Sequence, residues 1–555
     1  MQNLLTTSLL LFFTTMVFGQ QYEWVNGSGG SAFAIPFGFT AETSASYDNA
    51  GNIYLYGDFS ALRSFNNRQF NLTSAGNNDV YVSKFSNSGD FKWIKTFGGA
   101  SKNFPGFIHV NNNSNQILIS GTFENSVVIG SDTLLAINAG NKMFVASLDT
   151  SGQVLWSKNF ETDFGTHGLK ISTDSSNHIY VAGFIDRTFS GEAFITKLSP
   201  TGNLIWSYRF GGAGRIGGIA RDIVVDNNGD LLIAGSFIGS ANFDLKGPSS
   251  KILNAGNGSD AFLLKLDSNA NFIDVLHYEN AMYAEINGVD IDANNNVLLT
   301  GVFENQLDLN PSTSNFDYRN AAGGTDVFIV KLHPNLDYNW GFNFGGPGDD
   351  ASNAITVDGN NAAWITGSFE DSINYVDTIY QKTLVTKGLN DIFSLRLNQY
   401  GGVAWISDFG SGTSIDAGEF ILAKDLDFVI TTGYFSGMND FDPSTMVNSI
   451  GFPGITYKDF IQVMNIDDIS SLNSPSSVDR VSVFPNPTAH QVIFEFEQEM
   501  ENLKVELYDI TGKLIHNYYF DTVLSGEMNI EGLPGIYILK FISNHHFSSI
   551  KIIKQ

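Results

Sequence analysis

Three observations in the 555-residue sequence predict an all-β chain, a seven-bladed β-propeller followed by a small C-terminal antiparallel β-sandwich. A hairpin pattern recurs six times: 79–99, 142–160, 192–212, 260–278, 326–346 and 391–410. Each copy is an alternating apolar run, a short turn rich in Gly, Asn and Ser, and a second run, as in DVFIVKLHPNLDYNWGFNFGG. Second, Gly57, Gly121, Gly183, Gly235, Gly301, Gly367 and Gly433 close Gly-x-Phe-like segments at spacings of 64, 62, 52, 66, 66 and 66 residues. Third, Trp24, Trp93, Trp156, Trp206, Trp340 and Trp405 share one position of the unit, and Asp274 takes that place in the remaining copy.

Each hairpin is followed by two more strand-like runs, such as ARDIVVDNNGDLLIAGSF (220–237), so every unit has four strands. Seven four-stranded units fit a propeller. The chain enters mid-unit. YEWVNGSGG (22–30) matches the second strand of a hairpin, and its missing partner is DFIQVMNID (459–467) at the far end of the repeats. The two ends are therefore expected to share one blade, which removes exposed sheet edges without polar caps. A Trp at a fixed strand position is expected to be a packing anchor between neighbouring sheets. Inserts of unequal length, among them 124–141, 304–325 and 436–458, are expected to form an extra hairpin or long loop at one rim, where binding usually resides.

Composition excludes several functions. Lys plus Arg number 30 against 57 acids, a net charge of −27, with no basic cluster to displace counterions, so nucleic acid is not an expected partner. No segment reaches the roughly 20 apolar residues of a spanning helix, so no transmembrane segment is expected. There are no cysteines, which removes disulfides, thiolate metal sites and thiol nucleophiles. The start, MQNLLTTSLLLFFTTMVFGQQ, reads as a secretory signal peptide over 1–19, cut near Gln20. Residues 20–471 are then the propeller, 472–480 a polar Pro/Ser linker, and 481–555 the sandwich.

The turns are where chemistry would reside. FGGPGDD (344–350) has the glycines of a phosphate loop, but FGG also recurs at 97–99 and 210–212, always after the second hairpin strand and before another strand. A phosphate loop opens a helix, so these are read as blade corners. Asp349 and Asp350 are expected to be peculiar to this corner. DIDANNN (290–296) begins like an EF-hand loop, but Asn295 stands where Gly is needed and Gly301 where a bidentate Glu belongs. Asp308 and Asn310, or Asp440 and Asp442, in the rim inserts are candidate calcium ligands; the alternative is that each side chain caps its own turn. No catalytic residue and no cofactor is expected, calcium apart. No HExxH, GxSxG or Asp-box spacing occurs in the sequence.

The units resemble the bacterial β-propeller repeats of large secreted proteins, over about residues 22–471. LDTSGQVLW (148–156) also resembles the quinoprotein dehydrogenase repeat, and Asp-Thr-Leu at 132–134, Asp-Ser-Ile at 371–373 and Asp-Thr-Ile at 377–379 resemble a bacterial O-glycosylation sequon. In the tail, FPNPT (484–488), LYDITGKLI (507–515), LPGIYILKF (533–541) and KIIK (551–554) follow in order. This run resembles the type A C-terminal sorting domain of the type IX secretion system of Bacteroidota. The resemblance implies export through the periplasm, recognition by the type IX machinery, and delivery to the cell surface or medium. It assigns recognition to Pro485, Asn486, Pro487, Gly512, Gly535, Tyr537, Lys551 and Lys554. The expectation is a secreted or cell-surface, non-catalytic binding or adhesion protein whose propeller rim takes a glycan or a protein. The alternative is an extracellular propeller enzyme acting on polysaccharide, or a quinone-dependent sugar or alcohol dehydrogenase.

Overall fold

The computed structural model describes residues 22–29, 43–60, 62–65, 70–137, 141–160, 165–187, 190–211, 218–247, 251–279, 282–312, 315–376, 381–410, 412, 415–423, 428–435, 438–441, 449–451, 458–465, 482–484, 491–509, 513–530, 533–543 and 546–554. The expected signal peptide and linker lie outside these residues, as do Asp442, Pro485, Asn486, Pro487 and Gly512. The chain divides into two compact units, the larger of Met1–Ser372, Val385–Gly402 and Ile406–Asp468, the smaller of Ile373–Leu384, Val403–Trp405 and Ile469–Gln555.

The repeats form seven four-stranded antiparallel blades, each with strands a to d in order of pairing. Blade 1 is Ser44–Tyr47, Ile53–Phe59, Asp79–Phe85 and Phe91–Phe97; blade 2 is Asn103–Asn111, Gln116–Phe123, Lys142–Asp149 and Val154–Phe160. Blade 3 is Gly165–Thr173, Ile179–Arg187, Ser190–Leu198 and Leu204–Phe210; blade 4 is Gly218–Val225, Leu231–Asn242, Ile252–Leu266 and Phe272–Tyr278. Blade 5 is Tyr283–Ile291, Val297–Asp308, Tyr318–Leu332 and Tyr338–Phe344; blade 6 is Ala351–Val357, Ala363–Val376, Gln381–Leu397 and Val403–Phe409. Blade 7 takes Ala417–Leu422, Phe428–Phe435 and Lys458–Asn465 from the end of the repeats and Tyr22–Gly29 from their start. The N-terminal strand pairs antiparallel with the last one, Trp24 opposite Val463 and Gly29 opposite Lys458, so the shared blade expected from the sequence is present.

Polar contacts cross every blade boundary. The Ile108 amide donates to Ser44 Oγ (3.2 Å), Ser120 Oγ to the Gly168 carbonyl (3.3 Å), and the Val289 amide to Asp222 Oδ2 (3.1 Å). Lys170 pairs with Asp222 (3.6 Å), Asn287 Nδ2 donates to Ser352 O (2.9 Å), and Asn353 Nδ2 to Gly418 O (2.9 Å). The ring shuts between blades 7 and 1, where Thr432 Oγ1 donates to Thr43 O (2.6 Å) and the Thr43 amide to Glu419 Oε2 (3.1 Å).

The repeated glycine has a steric cause. In blades 3 to 7 strand a bulges opposite it, and the partner carbonyl turns into the space a Cβ would fill: His167 O at 1.9 Å from an ideal Cβ on Gly183, and Ala351 O at 1.9 Å on Gly367. The strand-c aromatic then covers the bare backbone, as Phe328 covers Gly301 and Phe393 covers Gly367. These aromatics carry the core between blades, with Phe262, Phe328 and Phe393 fully buried.

The rim inserts take two forms. Blade 2 carries a separate hairpin, Ser126–Ile129 with Asp132–Leu135. In blades 4 and 5 the insert continues the b–c ladder past a bulge, with Ser240 opposite Asn254 and Gln306 opposite Asn320. A residue at positive φ turns the strand at that bulge, Gly239 (71°) or Asn305 (69°).

The tail is a five-stranded antiparallel sheet of Ser482–Phe484, Gln491–Asp509, Leu514–Asn529, Gly535–Ser543 and His546–Lys554. Its long central hairpin changes register between Glu495 and Met500. The first half of Gln491–Asp509 pairs with Ser482–Phe484 and the second half with Gly535–Ser543. Phe494 in the first half meets Phe541 beside the second at 5.2 Å, so the two halves close a common core with Val492, Val505, Leu507 and Leu539.

Candidate functional site

The acidic turns between strands a and b are capped and clamped. In DANNNV, Asp292 Oδ1 accepts from the amides of Asn294 and Asn296 (both 2.9 Å), and Oδ2 accepts from Asn296 Nδ2 (2.8 Å). Lys331 from strand c reaches Oδ2 at 2.8 Å, and both side chains are buried. Burial alone would raise the Asp292 pKa, but the bonds from Lys331 and Asn296 hold it below the usual carboxylate range. The same pair recurs as Asp48–Lys84 (3.4 Å), Asp174–Lys197 (3.9 Å), Asp226–Lys265 (3.1 Å) and Asp358–Arg396 (2.8 Å). Blade 2 has Asn111 and Ser147 at the two positions, so charge is absent from both ends together. The turn that opens like an EF-hand is thus a structural cap.

The lysine also spans blades. Lys197 Nζ donates to Ser268 O (2.9 Å) and Lys84 Nζ to Thr150 O (3.4 Å), each in the c–d turn of the next blade. The repeated Trp lies on that same turn. Trp93 Nε1 donates to Thr150 O and Trp340 Nε1 to Gln399 O, both at 3.3 Å. The turn residue beneath has positive φ and no room for a side chain: Gly152 under Trp93, Gly202 under Trp156, Gly401 under Trp340. The c–d turn of blade 5 instead carries buried Leu336 at φ 67°, and here blade 4 has Asp274 in place of Trp. By position in the unit, Leu336 stands where the other turns have glycine, and Asp274 where the other blades have Trp.

At FGGPGDD, the first glycine, Gly345, leaves room for the Asp326 carboxylate at the head of strand c, as Gly98 does for Asp79 and Gly410 for Asp391. Asp350 is fully buried; its Oδ2 accepts from the Gly346 amide (2.6 Å) and its Oδ1 from the Glu370 amide (3.2 Å). Its own amide donates to Thr325 O at 2.7 Å, as Asn103 does to Asn78 O and Asp416 to Asn390 O. Asp350 therefore holds a place that the corners of blades 1, 5 and 6 all fill with Asn or Asp, which corrects the expectation that it is peculiar to this one. The sequence hides the match because the corners differ in length. Asp349 is an exposed cap on the Thr325 amide (3.0 Å). Burial pushes Asp350 up to about 7, with the charges of Asp326 and Glu370 adding to it, and Asp391 up to about 6.

Residues from blades distant in sequence meet in the channel. Phe107 of blade 2 and Phe420 of blade 7 stand edge to face at 5.4 Å, and Lys170 Nζ of blade 3 lies 4.5 and 5.2 Å from their ring centres. Lys170 also pairs with Asp222 of blade 4, so side chains of four blades occupy the channel at this level. The strand-a carboxylates each bridge two blades: Asp222 to Lys170 and Val289, Glu285 to Arg221 (2.7 Å), Asp290 to Val357 (3.0 Å), Glu419 to Thr43.

Of the candidate calcium ligands, Asp308 Oδ1 accepts from the amides of Asn310 (3.0 Å) and Asp317 (2.7 Å), and Asn310 Oδ1 from that of Ser312 (3.2 Å). They cap the rim turn of blade 5. Asp440 ends a short strand, Met438–Asp440. Among the described residues no group of three or more His, Cys, Asp or Glu side chains is placed to hold a metal. The cap at Asp308 brings Phe316 and Tyr318 out of the rim. Their rings are exposed and stacked, 5.4 Å apart and 15° from parallel. Next along the same face Gln306 Nε2 donates to Asn320 Oδ1 (2.9 Å).

In the tail, Gly535 is exposed, whereas Tyr537 and Lys554 are buried. Tyr537 Oη donates to Leu533 O (2.6 Å) and Lys554 Nζ to Ile530 O (2.7 Å). Lys551 lies opposite Ile538 in the last ladder. Residues 482–555 match the model of the secretion system C-terminal sorting domain. The tail is a type IX sorting domain. It marks the protein for secretion to the cell surface or extracellular space, and among the described residues no helix is long and apolar enough to cross a membrane. Over 310 residues the chain is 23% identical to an uncharacterized WD repeat-containing protein of Acanthamoeba polyphaga mimivirus, covering 52% of this chain and 19% of that protein. It thus spans about a fifth of that relative's length. Similar solved structures include the Neurospora crassa Pan2 WD40 domain (9% identity, TM-score 0.37, covering 79% of this chain and 89% of that one). Others are the polysaccharide lyase Uly1 (8%, 0.38, 81% and 98%) and the Pseudomonas aeruginosa periplasmic gluconolactonase PpgL (10%, 0.37, 79% and 99%). At these values none of them bears on what this chain binds or does.

Proposed function

We propose that the exported protein is a non-catalytic binding or adhesion protein whose propeller rim takes a glycan or protein ligand outside the cell. The observation that carries this reading is the blade 5 insert. Exposed aromatic rings held parallel are an apolar platform, and the Gln306–Asn320 amide pair beside it offers both a donor and an acceptor. That combination suits an uncharged, hydroxyl-rich ligand. The enzymatic alternative is less well supported, because the inner-strand carboxylates serve as bridges between blades and Phe107, Lys170 and Phe420 fill the channel where a cofactor would sit. In this reading the rim works without a cofactor, and Asp308 serves the rim as a turn cap.

The test is binding of the purified chain to glycan and protein arrays, beside F316A/Y318A. At least tenfold weaker binding by the double variant, with unchanged melting, is expected. Turnover of any polysaccharide, sugar or alcohol on a matched panel would overturn the reading.

A further inference from the structure

The stacked rings of blade 5 belong to a rim ladder that has a twin. Blade 4 carries the same ladder 66 residues earlier, with Gly239 for Asn305 at the bulge, Ser240 for Gln306, Ile252 for Tyr318 and Asn254 for Asn320. In both ladders an exposed apolar side chain stands two residues from an exposed amide, Ile252 from Asn254 and Tyr318 from Asn320. The alternate residues turn inward, Leu253 and Ala255 onto one core and Leu307 and Ala321 onto the next. Strand d of the same blade holds each ladder down. Lys251 Nζ lies 5.2 Å from the Phe272 ring centre, and Arg319 Nη2 donates to Gly341 O (3.3 Å).

Met282 joins the two outward faces. It is 62% exposed and follows strand d of blade 4. Asn305 Nδ2 of the blade 5 ladder donates to its Sδ (3.6 Å), and its carbonyl takes the space that a Cβ on Gly258 of the blade 4 ladder would fill. A continuous track therefore runs from Ile252 and Asn254 over Met282 to Gln306, Asn320 and Tyr318. None of these side chains is charged, on a chain of net charge −27. Gly256, between Asn254 and Gly258, adds an independent sign. A Cβ there would meet nothing within 4 Å, and its φ is not positive, so neither packing nor backbone conformation requires glycine. Bare backbone on an open track lets a ligand lie close.

The Gln306–Asn320 bond leaves Gln306 Oε1 to accept and Asn320 Nδ2 to donate, the pairing that a vicinal diol needs. Apolar side chains beside amides suit the two kinds of surface on a sugar ring, its C–H face and its hydroxyl edge. The track holds no cation to receive a uronate or sulfate, and so acidic a protein repels such a chain. A face repeated from one blade to the next suits a ligand that itself repeats. We propose that the ligand is a neutral linear polysaccharide, lying across blades 5 and 4 from the Phe316–Tyr318 platform to Ile252 and Asn254. The proposal rests on the rim being the binding face. The second ladder meets a chain already held by the first, so it raises affinity at no cost of a new encounter.

The test measures, by calorimetry, binding of the purified full chain to a β-glucan, a xylan, a mannan and, as anionic control, polygalacturonate. Oligosaccharides of rising length cut from the polymer that binds are compared on the parent, G256L, I252A/N254A and F316A/Y318A, with the melting of each. At least one neutral polymer is expected to bind, and polygalacturonate is not. Affinity is expected to rise at least about tenfold from the shortest oligosaccharide bound to the longest. G256L and I252A/N254A are expected to remove that gain, to bind the shortest oligosaccharide as before and to melt like the parent. F316A/Y318A is expected to weaken every length. Affinity independent of length, or the gain kept in both blade 4 variants, would overturn the track and leave the blade 5 platform standing. Binding of polygalacturonate alone, or of none of the polymers, would overturn the neutral polysaccharide. Unchanged binding by F316A/Y318A would overturn the rim reading itself.

Discussion

Asp350 shows what one buried carboxyl costs and why the fold tolerates it. Its two oxygens satisfy amides that would otherwise be orphaned in the corner, yet it lies near Asp326, whose Oδ1 is buried with no hydrogen-bond partner. In blade 1 the same place is Asn103, whose Nδ2 donates to Asn78 O (3.0 Å) and reaches Asp79 Oδ1 (3.5 Å). A proton on Asp350 would make the equivalent contact, consistent with a pKa raised from 3.8 to about 7 by burial first and neighbouring charge second. Because the folded pKa exceeds the unfolded one, the folded state holds more protons between these values. Its stability is therefore fully present below about pH 4 and is lost as pH rises through 7, with Asp391 adding to the fall near pH 6. D350N supplies the donor permanently. It is expected to stabilise the chain by about 1–3 kcal/mol at pH 8 and to flatten the decline between pH 4 and 7. Urea melts across that range check it, and equal or lower stability of D350N at pH 8 would show that the carboxylate is needed charged.

At the scale of the blade, the unit of design is the joint between one blade and the next c–d turn. Trp93 lies over Gly152, Trp156 over Gly202 and Trp340 over Gly401, while the joint of blades 4 and 5 has Asp274 at the Trp position and Leu336 at the Gly position. The two positions are expected to be coupled. L336G is expected to lose about 2–4 kcal/mol for the emptied slot, less about 1 kcal/mol for relief of a left-handed leucine. D274W alone is expected to collide with Leu336, since the turns beneath the other Trp carry glycine. The double variant D274W/L336G rebuilds the joint of the other blades and should recover most of the loss, giving a coupling of at least about 1 kcal/mol in a double-mutant cycle. Additive effects would sink the slot argument. Much of this joint is legible in the sequence, since a Trp recurring at one fixed strand position signals packing by its periodicity alone. The Asp274 exception is legible too, but its cause is not, because Leu336 lies 62 residues on and only the ring brings it near. The Lys clamp escapes a sequence reading although SKF, TKL, LKL, VKL and LRL repeat it in plain view. In an alternating strand a lysine reads as solvent-facing, and only the neighbouring turn reveals that its ammonium is enclosed. The tail's folded-over hairpin is not legible either, because a continuous alternating run does not announce where it bends.

For the whole propeller, the decisive element is the strand that arrives first and is used last. Tyr22–Gly29 completes blade 7 by pairing with Lys458–Asn465, a contact across 429 to 442 residues, whereas every other blade closes on local hairpins. The strand is readable as a half-unit because its alternation and its Trp match the d position of the other repeats. Loop closure on this scale is slow, so blades 1 to 6 are expected to form before the ring shuts. Until then Lys458–Asn465 offers an unpaired edge, and an edge of alternating apolar residues recruits other strands. Deleting residues 22–29 should therefore do more than remove one strand's contacts. It should lower the melting temperature by several degrees, broaden the transition and yield dimers or larger species at micromolar concentration. A synthetic peptide of sequence YEWVNGSG added during refolding should restore the monomer by adding a strand to that edge. Size-exclusion chromatography with and without the peptide measures this directly. A deletion variant that stays monomeric and melts like the parent would mean that the interblade bonds of Thr43, Glu419 and Thr432 hold the ring by themselves.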